Sequence, residues 1–134
     1  MTRTDITTPA DINALVRAFY GRARHDDLLG PIFNRVIPAD AWEEHLAQIS
    51  RFWTGILLHE RGYQGDPMSK HLKLPLSDAH FLRWLALFHQ TIDERFSGPV
   101  ADEAKVRANG IARIMAALLH LPADAAVFAR PISS

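Results

Sequence analysis

The stretch SDAHFLRWLALFHQTIDERFSGP, Ser77 to Pro99, decides the fold class. Phe81, Trp84, Leu85, Phe88, Ile92 and Phe96 recur at the three- and four-residue spacing that lines up side chains on one face of an α-helix. Ser77 stands where an N-cap hydroxyl is wanted, and Ser97-Gly98-Pro99 stops the pattern. A helix with so many large apolar groups on one side must bury them, so helices of the same kind are expected before and after it in the chain.

Upstream, Thr8-Pro9-Ala10-Asp11 reads as a hydroxyl cap, a proline at the first helical position and a carboxylate three residues after the cap. It predicts a helix from about Pro9 to Arg24, with Ile12, Leu15, Val16, Phe19 and Tyr20 turned inward. A buried Tyr20 phenol then needs a hydrogen-bond partner. Gly30-Pro31 and Ile37-Pro38 break the pattern and predict a connection that returns Ile32 and Phe33 to the core. A second helix is expected from about Ala39 to Glu60, carrying Trp42, His45, Leu46, Ile49, Phe52, Trp53, Ile56 and Leu57 at helical spacing.

Between Gly62 and Pro75 only a short helical turn bearing His71 is expected, opened at Asp66-Pro67 and ended by Pro75. Downstream of the deciding stretch, a helix from roughly Val100 to Leu121 shows Ala104, Ala108, Ile111, Met115 and Leu118, with Pro122 beyond its end. Gly110 inside it costs about 1 kcal/mol relative to alanine. Close packing against another group, or drift, would account for it. No run alternates as a strand does and no repeat is visible, so the class is all-α and the chain reads as one domain, residues 1–134.

Composition excludes several functions. Fifteen basic residues balance fifteen acidic ones with no lysine/arginine run, so no nucleic-acid partner is expected. No apolar stretch reaches the ~18–20 residues of a bilayer span and the N-terminus lacks a secretion signal, so no membrane is expected and a cytoplasmic location is. The chain contains no cysteine, which excludes disulfides, thiolate-ligated haem, cysteine zinc sites and covalent haem attachment through Cys-x-x-Cys-His. Any iron must be held by histidine.

There are seven histidines. His25, His59 and His120 fall near helix ends beside charged residues, where solvated imidazole is the ordinary explanation, and His80 and His89 read as pairing or packing residues. His45 and His71 sit in apolar contexts where an unpartnered imidazole is costly. With three tryptophans and several phenylalanines nearby, they suit a large flat apolar ligand with a metal at its centre. A zinc enzyme is the competing reading, but there is no His-Glu-x-x-His, no Glu-x-x-His pair near another, no glycine-rich phosphate loop and no Gly-x-Ser-x-Gly. His25-Asp26 is only a fragment of a phosphohydrolase motif. A helical interaction module whose aromatics merely fill a core also remains open.

Several segments, in order and spacing, resemble the group III truncated haemoglobins. They are Phe19-Tyr20, Asp27-Leu28-Leu29-Gly30-Pro31-Ile32-Phe33, Trp42-Glu43-Glu44-His45, Phe52-Trp53, Tyr63-x-Gly65-x-Pro67, His71-x-x-Leu74-Pro75 and His80-Phe81-x-Arg83-Trp84-Leu85-x-Leu87-Phe88. They run from about Ile12 to Ile114 and leave the tail from Pro122 to Ser134 without a role. The glycine pairs that mark other truncated groups are missing.

The resemblance implies a shortened globin, helices packed two over two around haem b. It implies His71 as the proximal iron ligand, with Tyr20 and Trp84 as the polar residues that contact a ligand on the distal side and His45 as the distal-helix histidine. Phe33, Ile49, Phe52 and Trp53 would line the pocket, with Phe33 against the ring. Expected partners are O2, CO, NO or another small haem ligand and, for redox use, an electron-donating reductase; a monomer or weak homo-oligomer is expected. Two functions follow from it. One is tight retention of oxygen or another diatomic ligand; the other is haem-dependent oxidoreductase chemistry on peroxide or on nitric oxide with oxygen.

Overall fold

Helix formation begins where the sequence supplies a cap. In the computed structural model, which describes residues 3–59 and 76–118, the Thr8 hydroxyl accepts from the Asp11 N–H at 3.1 Å, and the Asp11 carboxylate accepts from the Thr8 N–H at 3.1 Å. This reciprocal cap starts α1 (Pro9–Ala23). Then come α2 (Gly30–Val36), a single 3-10 turn (Ala39–Ala41), α3 (Trp42–Leu58), α4 (Asp78–Arg95) and α5 (Pro99–Leu118). The expected turn of helix around His71, and the chain beyond Leu118, lie outside the described residues. No described helix is long and apolar enough to cross a membrane.

α1 packs against both α3 and α4, and α4 packs against α5. The helices thus form two pairs, α1 with α3 and α4 with α5, joined where α1 meets α4. Apolar spacing explains the arrangement, because the predicted inward faces are the buried ones: Ile12, Leu15, Val16, Phe19 and Tyr20 on α1, and Phe81, Phe88 and Ile92 on α4. Phe88 joins three helices. Its ring meets Phe19 of α1 edge-on at 5.3 Å and stacks on Trp53 of α3 at 5.1 Å and on Trp84 of its own helix at 5.4 Å.

The structure departs from the sequence reading in two places and decides an open alternative in a third. The Gly30-Pro31 break is the start of α2, because a proline lacking an N–H is tolerated in the first helical turn. Gly30 is required there for a different reason: a Cβ would lie 2.6 Å from the Arg24 carbonyl oxygen, where the end of α1 passes close by. The expected return of Ile32 and Phe33 to the core does occur, on this helix. Second, residues 39–41 form a 3-10 turn ahead of α3, and His59, in the left-handed conformation at φ 60°, ends that helix. Third, close packing does not explain Gly110, since a Cβ there would meet nothing nearer than an Arg113 guanidinium nitrogen at 3.9 Å. Gly110→Ala is therefore expected to stabilise the chain by about 0.5–1 kcal/mol, read as a higher thermal midpoint. An unchanged or lower midpoint would show that the position is constrained after all.

Two carboxylates tie the helix ends. Asp5 accepts from the N–H groups of Val100 at 3.0 Å and Ala101 at 2.8 Å, capping α5 from the N-terminal segment. Gly98, at φ 144°, permits that approach, because a Cβ would sit 2.6 Å from the Asp5 carboxyl carbon. Asp26, in the turn after α1, accepts from the Leu28 and Leu29 N–H groups, each at 3.0 Å, and from Arg83 Nε of α4 at 2.7 Å. Burial pushes both carboxyls up, but their donors more than reverse it: Val100, Ala101 and Ile6 amides for Asp5, and Arg83 with the Leu29 and Leu28 amides for Asp26. Both therefore lie below the ordinary carboxylate value. Depressed carboxyls contribute stability that is complete above the unfolded value of about 4 and is lost as pH falls through the folded values. The thermal midpoint should hold from neutral pH to about pH 5 and fall below about pH 4. Asp26→Asn should lower the midpoint at neutral pH and flatten that acid fall; an acid fall unchanged in the variant would remove Asp26 from the account.

Candidate functional site

Where the helix pairs meet, they line a pocket that is partly open to solvent. Its described lining comes from every described helix. α1 gives Tyr20, the start of α2 gives Phe33 with Leu29 just before it, and α3 gives Ile49, Phe52 and Trp53. α4 gives His80, Phe81 and Trp84, with Leu76 preceding it, and α5 gives Ile111, Ala112 and Met115. Thus Phe33, Ile49, Phe52, Trp53, Tyr20 and Trp84, singled out from the sequence, do line one space. His71 lies outside the described residues.

Tyr20 is 5% exposed and faces a crowd of rings: Phe19 at 4.8 Å, Phe33 at 5.7 Å and Trp42 at 6.0 Å. The Trp84 side chain is its hydrogen-bonding neighbour, near enough to favour the charged form of the phenol. An indole N–H can only donate, so Trp84 gives and Tyr20 accepts. The polar neighbour of the buried phenol is therefore a side chain of α4. Burial raises the phenol's pKa far more than Trp84 lowers it, so Tyr20 keeps its proton at any physiological pH.

His45 is half-buried on α3 and meets Tyr20 edge-on at 5.7 Å and Trp42 at 5.6 Å. It is not among the described lining residues. His25 bonds the Gly21 carbonyl at 2.9 Å, and His89 meets the Asn109 amide oxygen at 3.1 Å, linking α4 to α5. These fit the structural reading given to them. His80 does more than that reading allowed, since it both caps α4 and lines the cavity. The signal for it was available in the spacing: His80 and Phe81 stand one turn before Trp84 on the same face. Ile111 and Met115, one turn apart on α5, are the same kind of pair.

Aromatic and aliphatic groups along the described wall, with a few polar ones among them, fit haem, a large flat apolar cofactor with polar substituents at one edge. In the described part of the chain the imidazole that could reach such a cofactor from the lining is His80.

Comparison with known proteins agrees with this geometry. The bacterial-like globin family matches residues 5–117. Over 104 residues the chain is 39% identical to the group 3 truncated hemoglobin ctb of Campylobacter jejuni, which spans 75% of this chain and 82% of that protein. The crystal structure of a group III truncated hemoglobin from Campylobacter jejuni superposes with a TM-score of 0.81 at 35% identity, covering 88% of this chain and 95% of that one. With the helix order, the two-over-two packing and the aromatic-lined pocket already in place, the chain belongs to the bacterial-like globin family, in the group III truncated haemoglobin class.

Proposed function

We propose that the chain binds haem b in this cavity with His71 as the protein ligand to iron, and retains oxygen or another diatomic molecule tightly on the side where Tyr20 and Trp84 meet. One observation carries the reading: a buried phenol beside an indole on the wall of a largely apolar space. When bound, haem supplies the iron that takes the diatomic ligand and exchanges electrons. The chain's own residues do the rest.

Trp84 donates to the Tyr20 oxygen, which orients the phenol and leaves its proton for a group in the cavity. A hydroxyl that accepts one hydrogen bond also donates a stronger one. Phe33, Ile49, Phe52 and Trp53 keep water away from that donor, so its attraction for a negatively polarised ligand atom is weakly screened. Neutral imidazole at His71 is available near pH 7 as an iron ligand. The same donor stabilises charge developing on oxygen in a reaction with peroxide, or of nitric oxide with oxygen, and this favours a haem-dependent oxidoreductase as the second reading. That role would need an electron-donating reductase; a cytoplasmic setting suits either reading.

Haem titration tests the proposal, with visible spectra recorded for the ferric, dithionite-reduced and carbon monoxide-treated forms of the native chain and of His71→Ala. A sharp haem band reached at one equivalent in the native chain, and lost or displaced in the variant, is expected. Failure of the native chain to take up haem stoichiometrically would overturn the reading; a spectrum unaltered by His71→Ala would reassign the iron ligand.

A further inference from the structure

His80 occupies a position the haem reading leaves unused. At the start of α4 its Nδ1 accepts from the Ser77 backbone N–H at 3.0 Å and lies 2.9 Å from the Ser77 hydroxyl. A ring nitrogen that accepts an N–H carries no proton, so the proton of the neutral ring is on Nε2. For Nε2 there is no hydrogen-bond partner among the described residues, and the side chain lines the cavity. The other polar lining groups, Tyr20 and Trp84, are engaged with each other. The Tyr20 proton is the one the haem reading assigns to the diatomic ligand, so His80 is the polar group of the described wall whose donor that reading leaves unassigned.

The residue type adds a second argument. In a reciprocal cap of this kind the third helical position ordinarily holds glutamate or glutamine. Glutamate would cap α4 as well, but it would bring a negative charge to the cavity wall. Histidine turns back onto Ser77 with one nitrogen and offers a donor with the other. Such a wall suits an anionic edge on an otherwise apolar ligand, and haem b has one in its two propionate carboxylates.

We propose that His80 recognises the carboxylate edge of the cofactor, donating from Nε2 to a propionate while Nδ1 remains tied to Ser77. The assignment rests on the haem reading. It makes the Ser77–His80 cap a joint between cofactor retention and the first turn of the helix that carries Trp84.

The test compares haem with haem dimethyl ester, in which both carboxylates are blocked, by the rate at which each is lost to an excess of a haem-scavenging apoglobin. His80→Gln keeps the cap and an uncharged donor, and should release haem at close to the native rate. His80→Glu keeps the cap, with a thermal midpoint near the native one, and should release haem roughly 10- to 100-fold faster, the scale of a charged hydrogen bond lost. With the dimethyl ester, native and His80→Glu chains should release alike. Should the glutamate variant fail to fold, His80→Leu adds no charge and should still release haem faster than the native chain only when the carboxylates are free. Release at the native rate from His80→Glu, or an acceleration that persists with the ester, overturns the assignment alone. A native chain that takes up neither cofactor overturns the haem reading, and this assignment with it.

Discussion

Tyr20→Phe is expected to speed oxygen release from the haem-loaded protein roughly 10- to 150-fold, the equivalent of the 1.5–3 kcal/mol that a hydrogen bond to a charged or strongly polarised acceptor contributes. The substitution removes one oxygen from a side chain packed against Phe19, Phe33 and Trp42, so the apolar contacts survive and the donor does not. Trp84 complicates the result in a way that can be measured. In the native chain its N–H has the Tyr20 oxygen as a neighbour. In Tyr20→Phe that N–H is released and can turn to the ligand itself. Trp84→Phe should therefore accelerate release more in the Tyr20→Phe background than in the native one, a coupling that a double-mutant cycle on off-rates reads directly. Additive effects would mean that the two side chains act on the ligand independently. An unchanged off-rate in Tyr20→Phe would make Tyr20 a packing residue and leave the tight-retention proposal without its donor.

Phe88→Ala should cost about 3–5 kcal/mol of stability, a large fraction of the roughly 5–15 kcal/mol typical of a domain. Phe88 is 2% exposed, and Phe19, Trp53 and Trp84 all lean on it, so no neighbour can collapse into the space without disturbing a contact between helices. Because Trp84 stacks on Phe88 at an interplanar angle of 4°, the loss should also loosen the donor that holds Tyr20. Chemical denaturation measures the first effect and ligand release the second. Phe88→Leu, which retains most of the volume, should recover much of the stability but not the flat face. A loss under about 1 kcal/mol in Phe88→Ala would show that the three-helix junction is more plastic than its geometry implies.

The pattern of apolar residues on the long helices was legible because it needs only local information. A 3.6-residue period marks a face, and Thr8 and Ser77 mark where helices begin, so α1, α3, α4 and α5 were all in the sequence to within a few residues. α2 was not legible, because Gly30-Pro31 can end a segment or open one, and the decision rests on how close the Arg24 carbonyl passes, a tertiary fact. Gly110 is the converse case: its sequence context left close packing and drift both open, and only the position of α5 showed the space to be open.

The site divides the same way. Residue types and order along the chain, through the resemblance they carry, pointed to Tyr20, Trp84, Phe33, Ile49, Phe52 and Trp53, and to the family. They could not say which hydrogen bonds form among them. Only the packing of α1 against α4 brings Trp84 beside Tyr20, and only the Ser77–His80 cap fixes which His80 nitrogen keeps the proton. A sequence determines which helices have an apolar side to bury; the depth of burial and the direction of each donor are set when those sides meet, because hydrogen bonds depend on fractions of an ångström that no spacing rule contains.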